Sequence, residues 1–300
     1  MYPIFIYNTQ SGKGISKSRL NKIISYIKSL FPSVILCPTY KKGDAKIYTI
    51  KHLKKVNIIF VLGGDGTIHD IISAIIPTTF SPKICIIPNG TMNDLSHSLN
   101  LPKDYKKAID LSLTNNYRYY NAIKINNHYA IYATAIGRFS STSYKTKQSC
   151  KNLLGKLSYF LYAVKDLFSH TPINAKITID GKKFDGCYAL ILTCIHKYIA
   201  GFNIGKNIDL KSGKCILVEE IKTKRNGSLN SSINIAKFFI KGIGKSTDNP
   251  NIKILDFKNI TIILEKPIPI VLDGEKQISN TYNISIIKNA VKIFTNKNCT

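Results

Sequence analysis

The sequence has no apolar run approaching the roughly 18 residues of a membrane-spanning helix. Ile58 to Leu62 and Ile84 to Ile87 are short and are bounded by Lys, Asn, Gly or Pro. No basic region precedes the apolar residues of Met1 to Tyr7, which pass directly into polar Asn8 to Lys13, so a secretory leader is not expected and a cytoplasmic location is. Paired-cysteine spacing is absent too. The seven cysteines, at 37, 85, 150, 187, 194, 215 and 299, are odd in number, widely spaced and mostly in apolar surroundings, which reads as reduced thiols. The six histidines are scattered and form no H-E-x-x-H pair, so a histidine metal site is not expected. Acids and arginines are scarce. Of 43 basic residues only Arg19, Arg118, Arg138 and Arg225 are arginine, against 17 acids and a net charge of +26. Lysines supply point charges rather than the bidentate fork that nucleic-acid readers favour. A solvated lysine surface therefore ranks first, an anionic membrane second and nucleic acid third, and no stable nucleic-acid partner is expected.

What is present centres on Gly63-Gly64-Asp65-Gly66-Thr67, caught between the apolar run Val56 to Leu62 and a helical segment from Ile68 to Ile76. Three glycines let a ligand approach the main chain, and the helix start offers unpaired N–H groups to an anion. Taken alone the stretch is either a phosphate cradle or a tight strand-to-helix connection. Pro3 to Tyr7 reads as a strand, Asn8 to Gly14 as a polar turn, and Ser18 to Phe31 as a helix with Leu20, Ile23, Ile24, Ile27 and Leu30 on one face. Ser11-Gly12-Lys13 is not a Walker A loop, because Tyr7 and Gly14 stand where that motif needs Gly and Ser or Thr. Val34 to Cys37 gives a second strand, Thr39 to Ala45 a loop opening a helix through Leu53, and Ile84 to Ile87 a fourth strand ending at Pro88-Asn89-Gly90-Thr91-Met92-Asn93-Asp94. This alternation predicts an α/β domain with a mostly parallel sheet covered on both faces, and sets loops 8–14, 39–45, 63–67 and 88–94 along one rim.

From about Tyr117 short strands dominate: Tyr119 to Ile125, Tyr129 to Ala135, Ala175 to Ile179, Tyr188 to Cys194, Cys215 to Ile221, Ile260 to Glu265 and Ile268 to Leu272. Asn126-Asn127, Asp180-Gly181 and Lys266-Pro267 read as turns between them. Two helices, Leu153 to Phe168 and Ser232 to Ile243, interrupt this β-rich, sandwich-like domain, and Lys145 to Lys151 reads as a basic loop. The first helix reads as a packing helix ahead of a lipid-contacting one. No internal repeat is present. The expected division is 1–118, completed by 284–300, and 119–283.

Asn8-x-x-Ser11-Gly12, Gly63-Gly64-Asp65-Gly66-Thr67, Pro88-x-Gly90-Thr91-x-Asn93-Asp94 and Asp273-Gly274-Glu275 stand in the order and approximate spacing of the diacylglycerol kinase catalytic-domain family, and the chain resembles that family, which includes bacterial soluble lipid kinases and the sphingosine kinases, over essentially its whole length. The resemblance implies a nucleotide-binding domain joined to a β-rich domain that receives the lipid, with transfer of the terminal phosphate of ATP to a lipid hydroxyl in the presence of Mg²⁺. It implies nucleotide contacts from Asn8, Ser11, Gly12, Thr39, the segment Gly63, Gly64, Asp65, Gly66, Thr67 to Asp70, and Gly90, Thr91, Asn93 and Asp94. Asp65 would act through magnesium or the transferred phosphate, or would cap the helix after it. Asp273 and Glu275 would supply the proton acceptor, with the choice between them open; a bare D-G-E is otherwise a β-turn.

Departures from the family pattern bear on function. Asp70 stands where most members have Glu, and Asn121 where many bacterial members have Asp. In Asp209-Leu210-Lys211-Ser212-Gly213-Lys214, Ser212 replaces an acid that helps to hold a structural magnesium, so that second metal site is not expected. The expected function is an ATP- and Mg²⁺-dependent lipid kinase acting on diacylglycerol or another long-chain alcohol, transiently peripheral at an anionic membrane, with a homodimer left open. The alternatives are a catalytically impaired lipid- or nucleotide-binding relative and a small-molecule kinase of the NAD kinase type.

Overall fold

In the computed structural model the described residues are 2–12, 14–137, 172–199, 201–205, 212–221, 227–243, 249–273 and 275–296, with side chains of the 227–243 helix described from residue 230 onward. The expected helix at Leu153 to Phe168, the basic loop Lys145 to Lys151, Asp209 and Gly274 lie outside them. The chain divides into two compact units, one of Met1–Tyr120 with Asn289–Thr300 and one of Asn121–Lys288.

The first unit is built on strands whose inner residues are almost wholly apolar: β1 (Tyr2–Asn8), β2 (Ile35–Thr39), β3 (Val56–Gly63) and β4 (Lys83–Pro88). A strand flanked on both faces reads as a continuous hydrophobic run, and Ile59 to Leu62 and Ile84 to Ile87 are buried throughout. β1 pairs in parallel with β2 and with β3, and β3 in parallel with β4. Lys292 and Ile293 near the chain's end add a further parallel pairing along β4, opposite Lys83 and Ile84. Parallel strands need crossovers, supplied by α1 (Lys17–Leu30), α2 (Asp44–His52) and α3 (Asp65–Ile75). Ser16 starts α1 by accepting the Arg19 N–H at 3.2 Å, and α1 buries Ile23 and Ile27. Two helices too short for a periodic signature follow β4, α4 (Asp94–Ser98) and α5 (Tyr105–Asp110).

The second unit contains β6 (His128–Ala130), β7 (Ala133–Gly137), β8 (Ile173–Ile179), β9 (Lys182–Lys183), β10 (Gly186–Cys194), β11 (Tyr198–Ile199), β12 (Phe202–Asn203), β13 (Gly213–Glu219), α6 (Gly227–Lys241), β14 (Ile252–Phe257) and β15 (Asn259–Leu272), with most of β5 (Tyr117–Ile125) and β16 (Glu275–Phe294). Pairing is antiparallel from β14 through β13, β10, β7 and β15. Alternation along β10 and β13 sends Ile191, Cys215 and Leu217 into one apolar cluster, with Ile177, Ile262 and Tyr282, and Leu190, Leu192, Ile216 and Val218 into another, with Ile235 and Phe238 of α6.

Asn126 (φ 49°) and the Asp180-Gly181 pair (φ 45° and 87°) form the expected turns. The expected turn at Lys266-Pro267 does not form. β15 runs through it, and its register against β16 shifts between Ile263 and Ile268. Proline has no N–H to give the ladder and is tolerated at such an irregularity. The expected strand Tyr129 to Ala135 is split into β6 and β7, because a carboxylate described below takes the N–H groups of Ile131, Tyr132 and Ala133.

Candidate functional site

The carboxyl ends of β1, β3 and β4 deliver three of the expected loops to one place in the first unit. Their backbones touch. A Cβ on Gly90 would lie 2.5 Å from Gly64 Cα, and one on Gly12, where φ is +65°, would lie 2.6 Å from the Asn89 carbonyl oxygen. Both positions exclude a side chain for lack of space. A Cβ on Gly64 would sit 3.1 Å from Ser11 Oγ. Hydrogen bonds bind the same loops: the Asn89 N–H donates to the Gly63 carbonyl at 2.9 Å, and Asn89 Nδ2 to the Ser11 carbonyl at 3.3 Å.

Side chains within the loops fix their shape. Asn8 Oδ1 accepts the Gln10 N–H at 2.9 Å. Asn93 adopts a left-handed conformation (φ 52°) and closes its loop twice, accepting the Gly90 N–H and donating Nδ2 to the Gly90 carbonyl, both at 2.8 Å. Its side chain is then spent, and it gives α4 no cap. Asp65 does so instead. Its carboxylate accepts the N–H of Asp94 and of Leu95, each at 3.2 Å. Asp65 is also the first residue of α3, but does not cap it; Gly64 occupies the N-cap position. The expected capping role therefore falls on a different helix, 29 residues further on. Asp94 and Ser11 are buried, and Thr67 and Thr91 are half-buried. Gly66 is exposed at the start of α3, where main-chain N–H groups have no intrahelical acceptor.

The 39–45 loop is tied to the same framework. Thr39 pairs with Asn8 in the sheet, and its hydroxyl donates to the Tyr7 carbonyl at 3.2 Å. Asp70, one turn into α3, accepts the Gly43 N–H at 3.2 Å. Asp44 accepts the N–H of Tyr40 and Lys41, which hold its carboxyl below the ordinary carboxylate range.

In the second unit Asp273 follows β15 with φ 48°. Its carboxylate accepts three main-chain N–H groups, those of Ile131, and of Tyr132 and Ala133 at 3.1 Å each, while its own N–H donates to the Ala133 carbonyl at 3.2 Å. Beside it Thr134 and Thr193 share a buried hydrogen bond of 2.7 Å. His196 is also buried; burial pushes its pKa down to about 4, with the Asp273 charge pulling the other way. Glu275, half-buried, opens β16. Sequence patterns pointed to neither the 131–133 segment nor His196: backbone donors carry no residue signature, and a lone histidine after an apolar strand resembles any core histidine. At the departure site, Ser212 Oγ donates to Asp256 Oδ1 at 2.8 Å and Lys214 Nζ pairs with the same oxygen at 2.7 Å, which lowers the Asp256 pKa. Among the described residues no cluster of three acidic, cysteine or histidine side chains could hold a metal alone.

Residues 3–125 match the family model described as the diacylglycerol kinase catalytic domain. Over 306 aligned positions, covering 97% of this chain and 96% of the relative, the chain is 27% identical to a protein of Staphylococcus aureus strain JH9 named "Putative lipid kinase", and equally to its counterpart in strain Newman. Two solved structures from Bacillus anthracis share the fold. One is titled a putative diacylglycerol kinase (TM-score 0.83, 24% identity, all of this chain and 96% of that one); the other is titled a diacylglycerol kinase (0.77, 21%, 100% and 98%). Residues 3–125, which carry the glycine loops and the Asp65 cap, thus match the diacylglycerol kinase catalytic-domain model, in a chain similar to proteins named putative lipid kinases over nearly its whole length.

Proposed function

We propose that this protein is a lipid kinase that transfers the terminal phosphate of ATP to the hydroxyl of diacylglycerol or a similar long-chain lipid. The observation that carries the reading is the close packing of the Gly12, Gly64 and Gly90 backbones, which sets the loops after β1, β3 and β4 side by side at the exposed start of α3. Phosphoryl transfer asks the protein for positioning and for compensation of negative charge more than for covalent chemistry. Gly64, Asp65 and Gly66 supply N–H donors at the start of α3. The hydroxyls of Ser11, Thr67 and Thr91 add short donors, with Asn8, Thr39, Asp70, Asn93 and Asp94 shaping the loops around them.

The donor set fits a polyphosphate. For magnesium the candidate ligand is the carboxylate of Asp65, which stands at the meeting point of these loops. Mg²⁺ characteristically takes one or two carboxylates together with substrate phosphates, and would there neutralise phosphate charge.

The two acids of Asp273-Gly274-Glu275 divide the remaining work. Asp273 is a positioning residue, because three N–H donors engage its carboxylate. Glu275 is the proton acceptor for the lipid hydroxyl, a contribution of about 10²- to 10⁴-fold in rate. Purified protein with labelled ATP, magnesium and lipid-bearing vesicles tests the reading: phosphorylated lipid is expected, and its absence with every long-chain alcohol offered would refute it.

A further inference from the structure

Helix α2 is built inside out. It buries its small residues, Ala45 and Thr49, and the Thr49 hydroxyl is folded back onto the Ala45 carbonyl at 2.7 Å. Its large apolar side chains point to solvent: Ile47 and Ile50 are 60% and 57% exposed, and Tyr40, just ahead of the helix, is 76% exposed. At 3.6 residues per turn, exposed Lys46, Ile50, Ile47 and Lys51 fall in that order within about 140° of arc. Lys41, Lys42, Lys54 and Lys55 are exposed around them. The one acid between Tyr40 and Lys55 is Asp44, whose carboxylate is engaged by the Tyr40 and Lys41 N–H groups.

We infer that this face of α2 docks on an anionic lipid bilayer, with Tyr40, Ile47 and Ile50 entering the headgroup boundary and the lysines resting on lipid phosphates. A helix that turns its bulky apolar residues outward between lysines has the pattern of an interfacial helix. Each lysine gains from the negative surface potential of such a membrane. Charge decides between occupants. A second copy would set six lysines against six, a repulsive arrangement. Nucleic acid would leave two isoleucines without a partner, and no arginine lies on this face to read bases. The docking does not depend on the reaction, so it is measured without ATP and stands or falls apart from the kinase reading.

Full-length protein is sedimented with phosphatidylcholine vesicles with and without phosphatidylglycerol. Binding is expected only to the anionic vesicles and falls as salt rises. Ile47→Ser with Ile50→Ser, and separately Lys46→Gln with Lys51→Gln, each weaken it by on the order of tenfold. Lys182→Gln with Lys183→Gln, exposed in the second unit, removes equal charge and changes it less than about twofold. Undiminished binding by both α2 variants, or an equal loss in the control, overturns the docking assignment. So does self-association of the wild type that the isoleucine variant abolishes. The chain contains no tryptophan, so Ile50→Trp gives a single reporter in α2. Its emission shifts to the blue on anionic vesicles and is quenched by brominated lipid; a spectrum that vesicles leave unchanged contradicts insertion.

Discussion

Removing the Asp65 carboxylate should damage the rim's structure before it damages chemistry. In the wild type the two oxygens accept the first two N–H groups of α4, at 3.2 Å each, and Asn93 cannot substitute because its side chain is closed onto Gly90. Asp65→Ala leaves both donors without a protein acceptor. Loss of a helix cap costs about 0.5–2 kcal/mol, and here two charge-assisted bonds go together, so the upper half of that range, about 1–2 kcal/mol, is expected. With a urea dependence of ~1.5 kcal/mol per molar for a unit of this size, the unfolding midpoint drops by about 1 M. Asp65→Asn keeps one acceptor oxygen and should lose about half as much. Urea unfolding followed by far-UV circular dichroism, with nucleotide affinity by calorimetry, separates the outcomes. If Asp65→Ala unfolds at the wild-type urea concentration, the capping account is wrong. If stability falls and affinity does not, the loops hold their shape without α4, and their coupling through Asp65 is refuted.

Gly90→Ala drives a methyl group to 2.5 Å from Gly64 Cα and 2.7 Å from Asn93 Oδ1, so it should cost about 1–3 kcal/mol and weaken nucleotide binding at least about tenfold by calorimetry. His196 makes the second unit acid-sensitive. Its folded pKa, about 4, lies below the unfolded value of 6.5, so between them the unfolded chain binds the extra proton and stability falls as pH drops. The loss approaches about 3 kcal/mol by pH ~4 and vanishes above pH ~7. Urea midpoints taken across that range should show a shallower slope for His196→Gln. Asp273→Asn turns an amide donor toward three N–H groups and should lower stability by about 2 kcal/mol or more.

The first unit was legible because each strand there is a dense apolar run ending in a loop of Gly, Ser, Thr and Asn. β1, expected at Pro3 to Tyr7, spans Tyr2–Asn8, and α1, expected at Ser18 to Phe31, spans Lys17–Leu30. α4 and α5 were not legible, since five or six residues hold too little periodicity. Lys266-Pro267 misled because a proline in a bulge and a proline in a turn look alike in one dimension. The break between β6 and β7 was hidden for a different reason. Its cause, Asp273, lies some 140 residues away and acts on backbone groups that every residue shares. The same holds at the rim, where Gly64 and Gly90 stood out singly, whereas their mutual contact and the reach of Asp65 to α4 needed the fold.

The most direct test of the central claim is transfer of labelled phosphate from ATP to lipid in anionic vesicles, comparing wild type with Glu275→Gln at matched stability. Phosphorylated lipid from the wild type, and a fall of about 10²-fold or more in the variant, is the predicted result. No labelled lipid from any long-chain alcohol tested, or a variant as active as the wild type, would contradict it.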